Sequence, residues 1–222
     1  MGHVAHDRTP QGPVLGGTVS YAAITARAMG LRVGMLTSAR PDDPVLPGLD
    51  GVALHLLPAA SSTIFVNTYT AHGRVQYVQG HARVLSADDL PGAWAGAPIV
   101  HLAPIARELD ETLAPERFPG ALVGITPQGY MRSWDGDGRV SGIPWAEAPR
   151  LLPAAAVTVL SEEDLGLSEA LEREYAALAS RLVVTREARG ATLYTAGVRQ
   201  DFPTITIAEA RHPPGAGDVF AG

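Results

Sequence analysis

The residues at the C-terminal end of the chain carry the strongest chemical signal in the sequence. Pro213 and Pro214 stop the segment before them, and Gly-Ala-Gly at 215–217 allows a tight turn with free amides. Asp218 then opens an apolar, helix-like stretch. Amides at a helix start attract an anion, and a carboxylate held there can accept a hydroxyl proton during phosphoryl transfer. An ordinary glycine turn with Asp218 as N-cap explains the same letters, and these residues alone favour that plainer interpretation.

A second pair of glycines lies near the N-terminus. Gly16 and Gly17 allow a backbone to approach a ligand closely, and Thr18 and Ser20 offer hydroxyl groups. Asp7 stands upstream, where its own surroundings suggest only a solvated turn.

The composition excludes several classes of protein. All 17 basic residues are Arg, and the absence of Lys excludes a Walker-type phosphate loop and a Schiff-base enzyme. The absence of Cys excludes disulfides and thiolate sites. With a net charge of -6 and no basic run, no nucleic-acid partner is expected. No apolar run approaches the roughly 18 residues of a membrane span, so we expect no membrane partner and a cytoplasmic location.

Apolar β-rich segments alternate with helical ones along the chain, which predicts an α/β fold with a central, mostly parallel sheet flanked by helices. The helices are predicted at 18–30 and 168–179, and the strands at 2–5, 31–37, 98–102, 121–125, 155–160 and 182–185.

The segment 62–78 breaks this alternation. It is rich in β-branched and aromatic residues, with His72 and Gly73 in the middle, which predicts an antiparallel hairpin. We interpret residues 62–83 as a small β lid inserted in a single domain, 1–222; an edge hairpin of the main sheet is the alternative. An exposed lid strand would also suit a homodimer through the lid.

The string Gly-Ala-Gly-Asp-Val-Phe at 215–220 resembles the C-terminal signature of the ribokinase-like (pfkB) carbohydrate kinases. The resemblance implies the ribokinase-like fold, with Asp218 as the catalytic base. It assigns the anion hole to Gly215, Ala216 and Gly217. The Asp-Thr that usually precedes this signature is His212-Pro213 here.

The N-terminal glycines also resemble a motif of this family, Gly-Gly-x-x-x-Asn, which opens the first helix and contacts the sugar. The resemblance assigns substrate binding to Asp7, Gly16, Gly17 and Ser20. Tyr21 replaces the family's Asn, which argues against simple ribose recognition.

Three less complete matches lie between these motifs. Residues 161–164 stand where the family has Asn-x-x-Glu, which implies that Asp164 and Glu163 organise Mg²⁺; an acidic helix start is the alternative. Thr185 and Gly190 match a motif that borders the nucleotide, although Glu187 replaces its first Gly. Arg132, after a central strand, either meets a phosphate or forms a surface pair.

The resemblance implies ATP-dependent phosphorylation of a hydroxyl on a sugar, a polyol or a nucleoside, with ATP and Mg²⁺ as cofactors. The Gly-Gly-Thr-Val-Ser-Tyr variant and the Pro-Gln-Gly loop are similar to an inositol-kinase branch. A non-catalytic sugar- or nucleotide-binding relative is the alternative, whereas a Rossmann dehydrogenase lacks its glycine fingerprint here. Family members continue beyond this signature, so we expect a domain truncated at its C-terminus, with poor ATP binding.

Overall fold

The computed structural model describes residues 1–9, 12–70, 73–204 and 216–222. Its helices are α1 (Thr18–Ala28), α2 (Ala148–Ala154), α3 (Glu169–Leu178) and α4 (Ala216–Ala221). In chain order its strands are β1 (Ala5–Thr9), β2 (Gly12–Gly16), β3 (Gly34–Ala39), β4 (Ala53–Pro58), β5 (Thr63–Thr70), β6 (Gly73–Gly80), β7 (Ile99–Leu102), β8 (Leu122–Ile125), β9 (Arg132–Trp134), β10 (Val140–Gly142), β11 (Val157–Ser161), β12 (Arg181–Thr185), β13 (Ala191–Thr195) and β14 (Val198–Phe202).

The main sheet has the strand order β14-β13-β12-β11-β8-β7. Neighbours from β7 to β12 run parallel, and β13 and β14 form an antiparallel edge. Apolar strand residues fill its core, because both faces are covered. α3 contributes the fully buried Tyr175 to this core, and Ser168 caps its start by accepting the Leu171 amide at 3.3 Å. The structure confirms the predicted α/β class.

The first four residues link this sheet to the parallel pair β3 and β4. The Met1 amino group donates to the His101 carbonyl at 2.6 Å, and the Ala103 amide donates to the Met1 carbonyl at 2.8 Å. On the other side, the Gly2 amide donates to the Leu36 carbonyl at 3.3 Å. The strand predicted at 2–5 was therefore misplaced, because residues 1–4 form this link and β1 begins at Ala5.

A second sheet, which we call the lid sheet, has the order β2-β1-β5-β6. The hairpin predicted at 62–78 is present as β5 and β6, although His72 lies outside the described residues. The lid sheet is larger than predicted, because β1 adds to β5 in parallel and β2 adds to β1 antiparallel. Its Phe65 and Val78 side chains join a small apolar cluster with Ile105 and Trp134 of the main body.

A short hairpin, β9 and β10, lies against the outer strand of the lid sheet. The Val78 amide donates to the Gly138 carbonyl at 2.8 Å, and Tyr77 bridges to Arg139. The acidic turn at 135–138 therefore connects two strands and covers part of the β6 edge. None of the helices that the structure describes has the length and apolar character needed to span a bilayer.

Candidate active site

Asp218 lies in the first turn of α4, where that helix meets α1. The Thr18 hydroxyl, at the start of α1, donates to Asp218 Oδ1 at 2.7 Å. A side chain added at Gly217 would place its Cβ 3.9 Å from Thr185 Oγ1, so this turn also lies close to the end of β12. Ala216 and Gly217 begin α4, whereas Gly215 lies outside the described residues.

The carboxyl group of Asp218 has an altered acidity. Burial raises its pKa, and the negative charges of Asp164 and Asp7 raise it further. The hydrogen bond from Thr18 and the positive charge of Arg132 act in the opposite direction, but the net shift is upward. Residues from four separate parts of the chain therefore share one electrostatic environment. An ionised carboxylate with a raised pKa is a better proton acceptor than an ordinary Asp.

The Gly16-Gly17 corner brings β1 close to α1. Gly17 has φ +89°, and an added Cβ would lie 2.5 Å from the His3 carbonyl oxygen. Only glycine suits this position, because both the conformation and the space exclude a side chain. Gly16 lies against Asp7, whose Oδ2 would be 3.2 Å from an added Cβ. Ser20 is buried and donates to the Gly16 carbonyl at 2.8 Å, so its hydroxyl supports the corner; its contact with a substrate stays a prediction.

Asp7 belongs to a row of three polar side chains that crosses the lid sheet, which we call the lid array. Asn67 Nδ2 donates to Asp7 Oδ1 at 3.3 Å, and Gln76 Nε2 donates to Asn67 Oδ1 at 3.0 Å. Asp7 also helps to raise the pKa of Tyr21, after burial and together with Asp218. The lid array and Asp218 therefore share one region. Sequence reasoning missed Asn67 and Gln76, although a polar pair inside an apolar hairpin was a visible signal.

Asp164 follows β11 and is held by several donors. Its Oδ2 accepts from the Ser161 amide at 2.9 Å and the Ser161 hydroxyl at 2.7 Å, and Gln128 Nε2 donates to its Oδ1 at 3.2 Å. Glu163 is exposed. Within the described part of the chain, no three His, Asp or Glu side chains are grouped as ligands for a metal ion.

The predicted nucleotide motif surrounds the end of β12. Gly190 has φ +96°, and an added Cβ would collide with the Phe202 carbonyl, so this glycine lets two strands approach each other. Glu187, which replaces a family glycine, has the left-handed φ of 50°. Arg186 pairs with Glu162 at 3.4 Å and more closely with Glu172. Thr185 therefore lies close to α4, whereas Gly190 contacts the end of β14.

Arg132 begins β9 and lies beside the lid sheet. Its guanidinium carbon lies 5.8 Å from the centre of the Phe65 ring, on β5. Its Nη1 donates weakly to the Ile105 carbonyl at 3.5 Å. Because its charge also lowers the pKa of Asp218, Arg132 is a cation within reach of negative charge that forms near Asp218.

No protein-family model and no curated protein sequence matches the chain. Solved structures of other proteins do match the chain. A sulfate complex of a pyrophosphate-dependent kinase in the ribokinase family aligns with a TM-score of 0.79 and 20% identity, over 98% of this chain and 82% of that chain. A complex of such a kinase with a pyrophosphate analogue and myo-inositol gives 0.76 and 20%, over 91% and 76%.

Ribokinase from Arabidopsis thaliana, complexed with ribose and ATP, aligns with a TM-score of 0.69 and 16% identity, over 99% of this chain and 81% of that chain. The architecture is common to all three comparisons, although the sequences have diverged widely. The chain therefore has the ribokinase-like fold, as its two end motifs predicted.

Proposed function

We propose that this protein is a kinase that phosphorylates a hydroxyl group of a sugar or polyol, with ATP as donor and Asp218 as base. The observation that carries the proposal is the position of Asp218, which shares its electrostatic environment with Asp7 of the lid array. Asp218 supplies a proton acceptor, and the lid array supplies groups that bind hydroxyls.

The chemistry follows from these positions. Asp218 accepts the proton of the acceptor hydroxyl, and the hydroxyl oxygen forms a bond to the γ-phosphorus. The bond from the γ-phosphorus to its bridging oxygen breaks, and ADP leaves with the electron pair. Thr18 holds the Asp218 carboxylate by its hydrogen bond. Arg132 contributes positive charge, and the amides of Ala216 and Gly217 complete the proposed anion hole.

The lid array supports a polyhydroxy acceptor. Each member orients the next by a hydrogen bond, so the amide groups of Asn67 and Gln76 have fixed directions. The carboxylate accepts hydrogen bonds from hydroxyls, the amide groups both donate and accept, and a neutral polyol suits the negative charge of Asp7 better than an anionic acceptor does. Neutral sugars and polyols therefore stand ahead of sugar phosphates as acceptors.

Asp164 and Glu163 are the carboxylates at which Mg²⁺ fits this site. Mg²⁺ keeps several waters and binds through one or two carboxylates plus substrate phosphates. Asp164, whose charge acts on Asp218, is the carboxylate we assign to it, with Glu163 at the exposed side. When bound, the ion would neutralise charge on the donor phosphates.

Inorganic pyrophosphate is a second candidate donor. Glu187 and the Glu162 pairs with Arg186 and Arg189 occupy the loop that borders a nucleotide in the motif it resembles. These side chains leave less access for an adenosine group than glycines would, whereas pyrophosphate needs no such access. Two of the three similar structures described above are of pyrophosphate-dependent kinases.

The test is a matrix of two donors and a panel of acceptors. Purified protein is incubated with Mg²⁺ and either ATP or pyrophosphate, together with sugars, inositols or nucleosides, and phosphorylated product is detected by ³¹P NMR. We expect transfer to a polyol or sugar. Acceptor binding by calorimetry without transfer from either donor would instead support the non-catalytic relative.

A further inference from the structure

The strand that carries Asp7 also carries a largely buried histidine on its opposite face. Successive residues of a strand point to opposite sides, so His6 and Asp7 face away from each other. The His6 side chain is 13% exposed. Both of its ring nitrogens are buried, and neither has a hydrogen-bond partner among the described residues. A buried polar group without a partner is costly, so this ring needs an explanation.

A buried carboxylate lies beside this ring. Asp43 Oδ1 lies 3.7 Å from His6 Nδ1, and the Asp43 side chain is only 3% exposed. The same oxygen accepts from the Val45 amide at 3.1 Å, which fixes the carboxylate in the loop after β3. Arg40, a cation close to this pair, is already paired with Asp42 at 2.6 Å. Asp43 and His6 are therefore the buried partners available to each other.

A cavity beside the pair leaves space for the ring to move. It has a volume of about 260 Å³ and is lined by His6, Asp43, Arg40, Asp42, Ser61 and Ser62. An N–H···O hydrogen bond has a length of about 2.9 Å, so a shift of less than about 1 Å turns the contact into a hydrogen bond.

We propose that His6 and Asp43 form a positioning pair, in which the ring N–H donates to the carboxylate and anchors β1 to the main body with Asp7 facing the acceptor. The inference rests on the proposed function for the role of Asp7. The anchoring itself follows from the burial and the contact distance. The pair acts on the acceptor through β1 and touches neither the acceptor nor the donor.

Kinetics of three variants test the role in acceptor binding. His6→Phe keeps a ring and removes the donor, His6→Asn keeps an N–H near the Nδ1 position, and Asp43→Asn removes the charge. His55→Phe is the matched control, because His55 packs on Trp94 from the β3–β4 pair. We expect His6→Phe to raise the acceptor KM about 3- to 10-fold, as one lost hydrogen bond does, while the donor KM stays near the wild-type value. His6→Asn restores most of the loss. Equal rises in both KM values, or no rescue by Asn, would overturn the proposal.

Two measurements without substrate separate this proposal from the proposed function. Hydrogen exchange of the β1 amides is expected to quicken in His6→Phe but not in His55→Phe. A double-mutant cycle with Asp43→Asn is expected to give a coupling of about threefold or more in the folding equilibrium constant. If the wild type transfers no phosphate but these effects appear, the function is wrong and the pair stands. Unchanged exchange with zero coupling refutes the pair itself.

Discussion

Replacing Gly17 by alanine tests how the corner between β1 and α1 is built. Gly17 has φ +89° and ψ +132°, a conformation close to the region that is essentially restricted to glycine, which costs another residue about 1–3 kcal/mol. The new Cβ would also lie 2.5 Å from the His3 carbonyl oxygen and 3.1 Å from the Ala5 amide nitrogen. Both atoms belong to the backbone, so the chain itself must shift, which adds about 1–3 kcal/mol. Gly17→Ala is therefore expected to cost about 2–6 kcal/mol in the free energy of unfolding.

The matched control is Gly30→Ala, since Gly30 has a similar φ of +87° with no atom within 4 Å of an added Cβ. The control carries the cost of a positive φ without a steric clash and is expected to lose about 1 kcal/mol. Each kcal/mol lowers Tm by about 2–4 °C in a chain of this size, so the two variants should separate by several degrees in thermal unfolding. The displaced 3–5 segment leads into β1, so folded Gly17→Ala should also show a raised acceptor KM. If Gly17→Ala and Gly30→Ala have the same Tm, the reasoning about the corner is refuted.

Four further predictions concern the site. In kcat/KM against pH, the acid limb should lie above the usual pKa of an Asp, because burial raises the pKa of Asp218; a limb at the ordinary value contradicts this. For the same reason ionisation of Asp218 opposes folding. The stabilisation that protonated Asp218 gives is present at low pH and is lost as the pH rises through the raised pKa, so Asp218→Asn should raise Tm at pH 7. Arg132→Gln should move the acid limb to still higher pH and lower kcat, whereas the control Arg139→Gln, on the same hairpin, should do neither. Asn67→Leu and Gln76→Leu should each raise the acceptor KM several-fold and leave the donor KM unchanged, and a selective loss of donor binding would count against the lid array.

The main sheet was predictable because its strands are short apolar runs between helical segments. The strands β7, β8, β11 and β12 and the helix α3 lie where their letters indicated. The strand predicted at 31–37 is shifted to β3, since its first residues are exposed and precede the buried run. The β13–β14 hairpin was not predicted from the sequence. In the structure, Ala196 and Gly197 at its turn have the two positive φ values of a type I′ turn.

The strands β1 and β2 were not predicted as part of the lid sheet. The letters of β1, Ala-His-Asp-Arg-Thr, are mostly polar, and β2 contains a proline, so neither has the pattern of a strand. The place of β1 in the sheet comes from its pairing with β5, more than fifty residues further along, and β2 joins the sheet by pairing with β1. No local sequence pattern reports the contact between β1 and β5. This pairing is what places Asp7 beside Asn67. The resemblance to the kinases pointed to Asp7, but only the pairing identified its neighbours.

The most direct test of the central claim compares phosphoryl transfer by the wild type and by Asp218→Asn, using the donor and acceptor that the matrix selects. Asn is nearly isosteric with Asp but cannot take the proton, so kcat should fall on the order of 100- to 10,000-fold. Calorimetry should show that the acceptor affinity is largely retained. Near-normal turnover by Asp218→Asn would show that Asp218 is not the base and would contradict the account.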